Sequence, residues 1–189
     1  MRAPTARRVT QYGQAIIEVA IATPVLLGLL LGAFNVSVLI SDKVVAGAAV
    51  RQGARLAAEV GGTDTNPPPA TTASIDQDIV KNVLAVARSM NYSTLQDIYI
   101  YRVDFAAMPS GQLGDPPIAG AHYNRYNGIT GAQIGGTGFP ISERNQIPPD
   151  ETSIGVKLIW IYTPPTGTAS FTITLSEWAA MKASPVLLT

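Results

Sequence analysis

Residues 19–41 run for 23 positions without a charge and include Val25-Leu26-Leu27 and Leu29-Leu30-Leu31. At about 1.5 Å per residue, a helix of that length crosses the roughly 30 Å hydrocarbon core of a bilayer. The pattern therefore predicts a transmembrane helix over about 19–41. From Val44 onward the period changes. Ala49, Gly53, Ala57 and Gly61 recur every four positions, and Gly47, Arg51, Arg55 and Glu59 form a second row. One side can pack tightly while the other stays polar. A single helix over 14–60, about 70 Å long, would then lie half in lipid and half against an outer domain. Gly61-Gly62 ends it, and Pro67-Pro68-Pro69 makes 61–73 a stiff, extended linker.

Beyond the linker, Ser74-Ile75-Asp76-Gln77 reads as a capping box, with Asp76 and Asp78 at the positive helix end. Ile75, Ile79, Val83, Ala87 and Met90 follow at helical spacing, so a second helix over about 75–90 is expected, with that stripe as core. Three strands are predicted by β-branched and aromatic runs: Asp97 to Phe105, Ile154 to Tyr162, and one from Phe171. In the last, Phe171, Ile173 and Leu175 alternate with Thr172, Thr174 and Ser176; the alternation slips at Glu177-Trp178, which predicts a bulge. Residues 106–152 hold eight glycines and six prolines and read as a long loop. Tyr123, Tyr126 and Phe139 are its candidate surface contacts. The fold class expected is α+β: a long N-terminal helix, a second helix and a small antiparallel sheet, the domain proper filling 74–189.

Charge orients this picture. The chain has 13 Lys+Arg and 13 Asp+Glu, but Arg2, Arg7 and Arg8 precede the first acid, so the body from Gly13 onward has 10 basic against 13 acidic residues. A body with that net of −3 argues against nucleic acid as a partner. Basic residues before the apolar run place the N-terminus in the cytoplasm and the domain outside. A cleavable secretory signal shares these features, with Ala46-Gly47-Ala48 as its small-residue site. Its apolar core is usually about 7–15 residues, however, shorter than this run.

Glu18 is the carboxylate that a plain anchor leaves unexplained. A charge at the centre of a membrane helix costs roughly 2.5–3.5 kcal/mol and usually finds a partner. Gly13 stands just before Gln14, and Glu18 is the fifth residue counted from Gln14. A basic leader over 1–13, this glycine, a glutamate at the fifth place and an apolar helix together resemble the processing site of type IV prepilins. Within that superfamily the chain is similar to the TadE-like pilus proteins of tight-adherence systems, through Gly13-Gln14-Ala15-Ile16-Ile17-Glu18-Val19-Ala20 and Pro24. A second stretch, Ala48-Ala49-Val50-Arg51-Gln52-Gly53-Ala54-Arg55-Leu56-Ala57-Ala58, resembles the family's AAREGAR-x-AA segment, with Val50 and Gln52 as departures. The resemblance covers Arg8 to about Val60. It implies cleavage between Gly13 and Gln14 by a prepilin peptidase, and a new α-amino group able to pair with Glu18 of the same or a neighbouring chain. It also implies assembly through Glu18, Pro24, Ala49, Arg51, Gly53 and Arg55, to which the Gly28–Gly32 step, read from its spacing alone, adds a candidate helix contact. Pro24 would be a kink or melted turn; the glycine step would allow close helix approach.

Little else in the sequence is chemical. The chain has no cysteine, hence no thiolate nucleophile or zinc-thiolate site. His122 has no acid or thiol at ligand or triad spacing, and Gly135-Gly136-Thr137-Gly138 lacks the lysine of a phosphate loop. Asn91-Tyr92-Ser93 matches a glycosylation acceptor. The expectation is a non-enzyme without cofactor or metal, whose partners are the prepilin peptidase, other pilin-like subunits, the pilus machinery and the membrane. Two functional classes follow: a minor pilin or pseudopilin built into a filament, or a single-pass anchored extracytoplasmic binding or adhesion protein whose helix merely resembles a pilin's.

Overall fold

The computed structural model describes residues 7–60, 72–103, 118–136, 138–145, 150–166 and 171–183. Helix α1 runs from Arg7 to Val60, 54 residues or about 80 Å, and α2 spans Thr72–Ala87. The strands are β1 (Ser93–Val103), β2 (Ile118–Asn127), β3 (Gln133–Gly136), β4 (Ser153–Tyr162) and β5 (Ile173–Lys182). They form one antiparallel sheet in the order β3-β2-β1-β4-β5. The architecture is α+β, with α1 and α2 on one face of the sheet.

Alternation assigns the faces. Along β4, Ile154, Val156, Leu158 and Trp160 are fully buried, as are Ile98 and Ile100 of β1. Ala46, Ala49, Val50, Ala54 and Ala57 of α1 and Ile79 and Val83 of α2 meet them in one cluster. Small residues let α1 lie close to the sheet, so the larger sheet side chains fill the layer; each buried Val, Leu or Ile contributes about 1.5–3 kcal/mol. Gly53 marks the tightest point, because a Cβ there would collide with Val83 of α2. The row Ala49-Gly53-Ala57 is thus the subunit's own core seam, not a free assembly surface. On the opposite sheet face the Tyr101 ring covers Gly155, its cross-strand partner, where a Cβ would stand 2.5 Å from the ring.

Several expectations need correcting. The second helix begins at Thr72, so Ser74 lies inside its first turn and Gln77 donates to the Gly131 carbonyl at 3.0 Å rather than closing a capping box. All five stripe residues, Ile75, Ile79, Val83, Ala87 and Met90, are buried as predicted. No bulge occurs at Glu177-Trp178: the β4–β5 register is continuous from Ser153↔Lys182 to Tyr162↔Ile173. Glu177 keeps its inward position because Lys43 of α1 meets it there at 3.6 Å. The register shifts lie elsewhere: in β1 between Leu95 and Asp97 against β4 and between Tyr101 and Val103 against β2, and in β2 between Arg125 and Tyr126 against β3. Residues 106–152 are not one loop. They contain β2, β3 and a 3-10 turn at Ile141–Glu143, whose polar alternation, Tyr123-Asn124-Arg125-Tyr126, is masked by the surrounding glycines. Most of the linker 61–73 and the ends of the predicted loop, at 106–117 and 146–149, lie outside the described residues.

Candidate functional site

α1 divides sharply in two. Every residue from Gly13 to Phe34 is exposed, with Ile16 at 70 % and Leu29 at 67 %. This bare length is about 33 Å at 1.5 Å per residue, and the helix is long and apolar enough to cross a membrane. Within it Gln14 donates from Nε2 to Glu18 Oε1 at 3.1 Å. Gly13 lies inside the helix rather than before its start. Pro24 is spanned without a break in the helix, not melted. Thr23 Oγ1 donates to the Val19 carbonyl at 2.7 Å close by. Gly28 and Gly32 have open space where a Cβ would point.

Contact with the domain begins at Asn35. Its Nδ2 donates to Thr166 Oγ1 at 3.0 Å, and its carbonyl accepts from Tyr162 OH at 2.8 Å. Two turns on, the buried Asp42 carboxylate accepts from Ser93 Oγ at 2.6 Å and from the backbone N–H of Asn91 and Tyr92 at 3.3 and 3.4 Å. Burial, with the Asp42 charge adding to it, raises the Tyr162 pKa above its ordinary value. Val38 and Leu39 pack against the core. The final third of the predicted span, 35–41, therefore belongs to the domain, and the bare apolar length ends at Phe34.

The remaining predicted residues part company. Arg51 and Arg55 are exposed on the outer side of α1. Arg51 Nε donates to the Gly47 carbonyl at 2.8 Å and Arg55 pairs with Glu59 at 2.8 Å. That pair raises the Arg55 pKa, first through the hydrogen bond and then through the charge of Glu59. Tyr123 sits half-buried on the sheet face away from the helices, 5.8 Å from the Tyr99 ring. Beside them Arg125 pairs with Asp97 at 2.9 Å and lies 5.7 Å from the Tyr99 ring centre. Tyr126 and Phe139 are not surface contacts, being 1 % and 0 % exposed.

What buries them is a polar centre that periodicity does not reveal. Asp76 of α2 and Arg144 are both fully buried and paired at 2.7 Å. The carboxylate accepts from Arg144 Nη1 at 2.7 Å and Nη2 at 3.0 Å, from Asn124 Nδ2 at 2.7 Å and from Tyr126 OH at 2.7 Å. Arg144 also donates to the Phe139 carbonyl at 2.7 Å, its guanidinium 4.7 Å from that ring. Asn124 Oδ1 accepts from the Phe139 N–H at 3.0 Å. Burial, then the Asp76 charge, pushes the Tyr126 pKa far up. The centre ties α2, β2 and the 138–145 segment together, so Asp76 acts here rather than as a cap. A hollow of about 480 Å³ lies over it, with Asn124, Tyr126 and Phe139 among its lining; the polar groups of Asn124 and Tyr126 are already held by Asp76 and Phe139.

His122 meets an acid that spacing could not foresee: its Nδ1 lies 2.6 Å from Glu143 Oε2, 21 residues on, brought back by the turn through β3. Among the described residues no group of three His, Cys, Asp or Glu could hold a metal ion.

No curated protein and no solved structure matches the chain. The model of the TadE-like protein family matches residues 13–55, the bare length of α1 and its first docked turns, so in this helix the chain is similar to TadE-like proteins.

Proposed function

We propose that the chain is a pilin-like structural subunit, a minor pilin or pseudopilin, of a tight-adherence pilus. It is made as a precursor, cut between Gly13 and Gln14 by a prepilin peptidase, and held in the membrane by α1 until assembly. Its N-terminus is cytoplasmic and its domain extracytoplasmic. The observation that carries this reading is the bare 22-residue length of α1, from Gly13 to Phe34, inside the TadE-like match. An apolar surface that the domain leaves uncovered needs lipid or neighbouring helices. Gln14 and Glu18 stand one turn apart, so the ammonium created by cleavage would face the carboxylate, or that of the next chain. The subunit acts by packing and not by catalysis.

The test is the N-terminal residue of the mature protein. Intact mass from native membranes should correspond to a chain beginning at Gln14, and Gly13→Leu should leave the precursor. A mature chain beginning at Met1 or Arg2 would refute processing. The half-exposed Tyr99, Tyr123 and Arg125 on the sheet face away from the helices favour a second reading, an anchored binding protein, which an uncleaved chain would support.

A further inference from the structure

The domain has a defined lower end. β1 begins, β2 ends, β4 ends and β5 begins at the same end of the sheet, since Ser93 pairs with Tyr162, Asp97 with Asn127 and Tyr162 with Ile173. α1 enters the domain there, through Asn35 and Asp42. Three pieces of chain share that end: the turn after α2, the 128–130 turn, and the described ends of the β4–β5 connection, Thr163 to Thr166 and Phe171. The first two approach one another, as Ser93, Thr94, Gly128 and Ile129 line one hollow, and Thr163 N–H donates to the Tyr92 carbonyl at 2.9 Å. Each carries an exposed apolar side chain: Tyr92 at 42 %, Ile129 at 62 % and Phe171 at 53 %.

We infer that this end of the domain rests on the outer surface of the bilayer, with Tyr92, Ile129 and Phe171 immersed in the headgroup layer around the emerging helix. The inference rests on the membrane-anchored reading above. Two observations select lipid as the occupant. The first is continuity: no polar spacer separates the bare apolar length from the domain, because Phe34 is exposed and Asn35 is already bonded to Thr166. Counting about 20 residues, or 30 Å, back from Asn35 puts the inner edge of the hydrocarbon near Ala15, with Glu18 about one turn inside. A domain standing clear of the surface would leave Leu30, Leu31 and Phe34 in water and draw Glu18 deeper. The second is composition: Tyr92, an aromatic ring with one polar end, is of the kind that favours the membrane–water interface, and Ile129 and Phe171 add exposed apolar surface at the same level.

The absence of cysteine from the chain permits single-cysteine variants. Tyr92→Cys, Ile129→Cys and Phe171→Cys, with Leu27→Cys in the bare helix and Ser142→Cys at the far end of the domain, are labelled with an environment-sensitive fluorophore. The full chain is reconstituted in phosphatidylcholine–phosphatidylglycerol vesicles carrying spin-labelled quencher lipids. Near-ultraviolet circular dichroism from the buried Trp160 verifies the fold of each variant. Labels at 92, 129 and 171 should lose most of their fluorescence, as should that at 27, while the label at 142 keeps its own. Quenching at 27 alone would overturn the inference and leave the membrane span standing. No quenching at 27 would overturn both.

Discussion

Removing Arg144 strands a charge in the interior. Arg144 and Asp76 are fully buried, and Arg144 supplies two of the four hydrogen bonds that the carboxylate accepts. In Arg144→Met, Asn124 and Tyr126 would still donate, but no countercharge remains and the Phe139 carbonyl loses its 2.7 Å donor. Breaking one side of a buried pair typically costs about 3–5 kcal/mol, a large part of a domain stability of about 5–15 kcal/mol. The full chain in detergent should be unfolded in urea, following tryptophan fluorescence. With a slope of about 2 kcal/mol/M, the midpoint should fall by about 1.5–2.5 M. Asp76→Asn combined with Arg144→Met removes the stranded charge and should recover more than half of the loss. A single variant within about 1 kcal/mol of the wild type, or a double variant no better than the single, would refute the account.

Gly53→Ala should destabilise the domain by about 1–3 kcal/mol despite alanine's better helix propensity, because its Cβ meets Val83; urea midpoints equal to or above the wild type would contradict this. Burial raises the pKa of Tyr126, Tyr162 and Tyr99, so the folded state holds protons that the unfolded chain releases near pH 10. Their contribution is fully present below about pH 10 and lost above it; absorbance titration of the folded protein should show these three ionising late, and simultaneous ionisation of all tyrosines would count against it. Glu18→Gln should insert and be cut normally yet lower pilus yield at equal protein level, whereas wild-type yield would make α1 a simple anchor.

The stripe of α2 and the alternation of β4 were legible because each element buries one side, and the period of burial is the period of the element; the apolar run was legible from its length without a charge. β2 was not, since its inward positions are Asn124 and Tyr126, polar residues made tolerable by Asp76 and Arg144. Asp76 looked like a cap because Asp near a helix start usually is one, and the arginine that claims it lies 68 residues away. The inward Glu177 has the same cause, a distant Lys43. In the site itself, the bare helix was readable and the place where it ends was not. Asn35 and Asp42 owe their role to Thr166, Tyr162 and Ser93, contacts that no local pattern encodes.

Because α1 passes from its bare length into the core without a joint, the head cannot swivel on its stalk, and the azimuth of each bare side chain is set relative to the head. Gly28 and Gly32 stand 18 residues before Ala46 and Val50, about five whole turns at 3.6 residues per turn, and both of those residues are buried against the domain. The glycine notch therefore lies directly beneath the overhang of its own head. A second copy using that notch at the same height would drive its head into the first. Helices paired through Gly28 and Gly32 would therefore have to be offset along the axis, and their heads would form a staircase rather than a level ring.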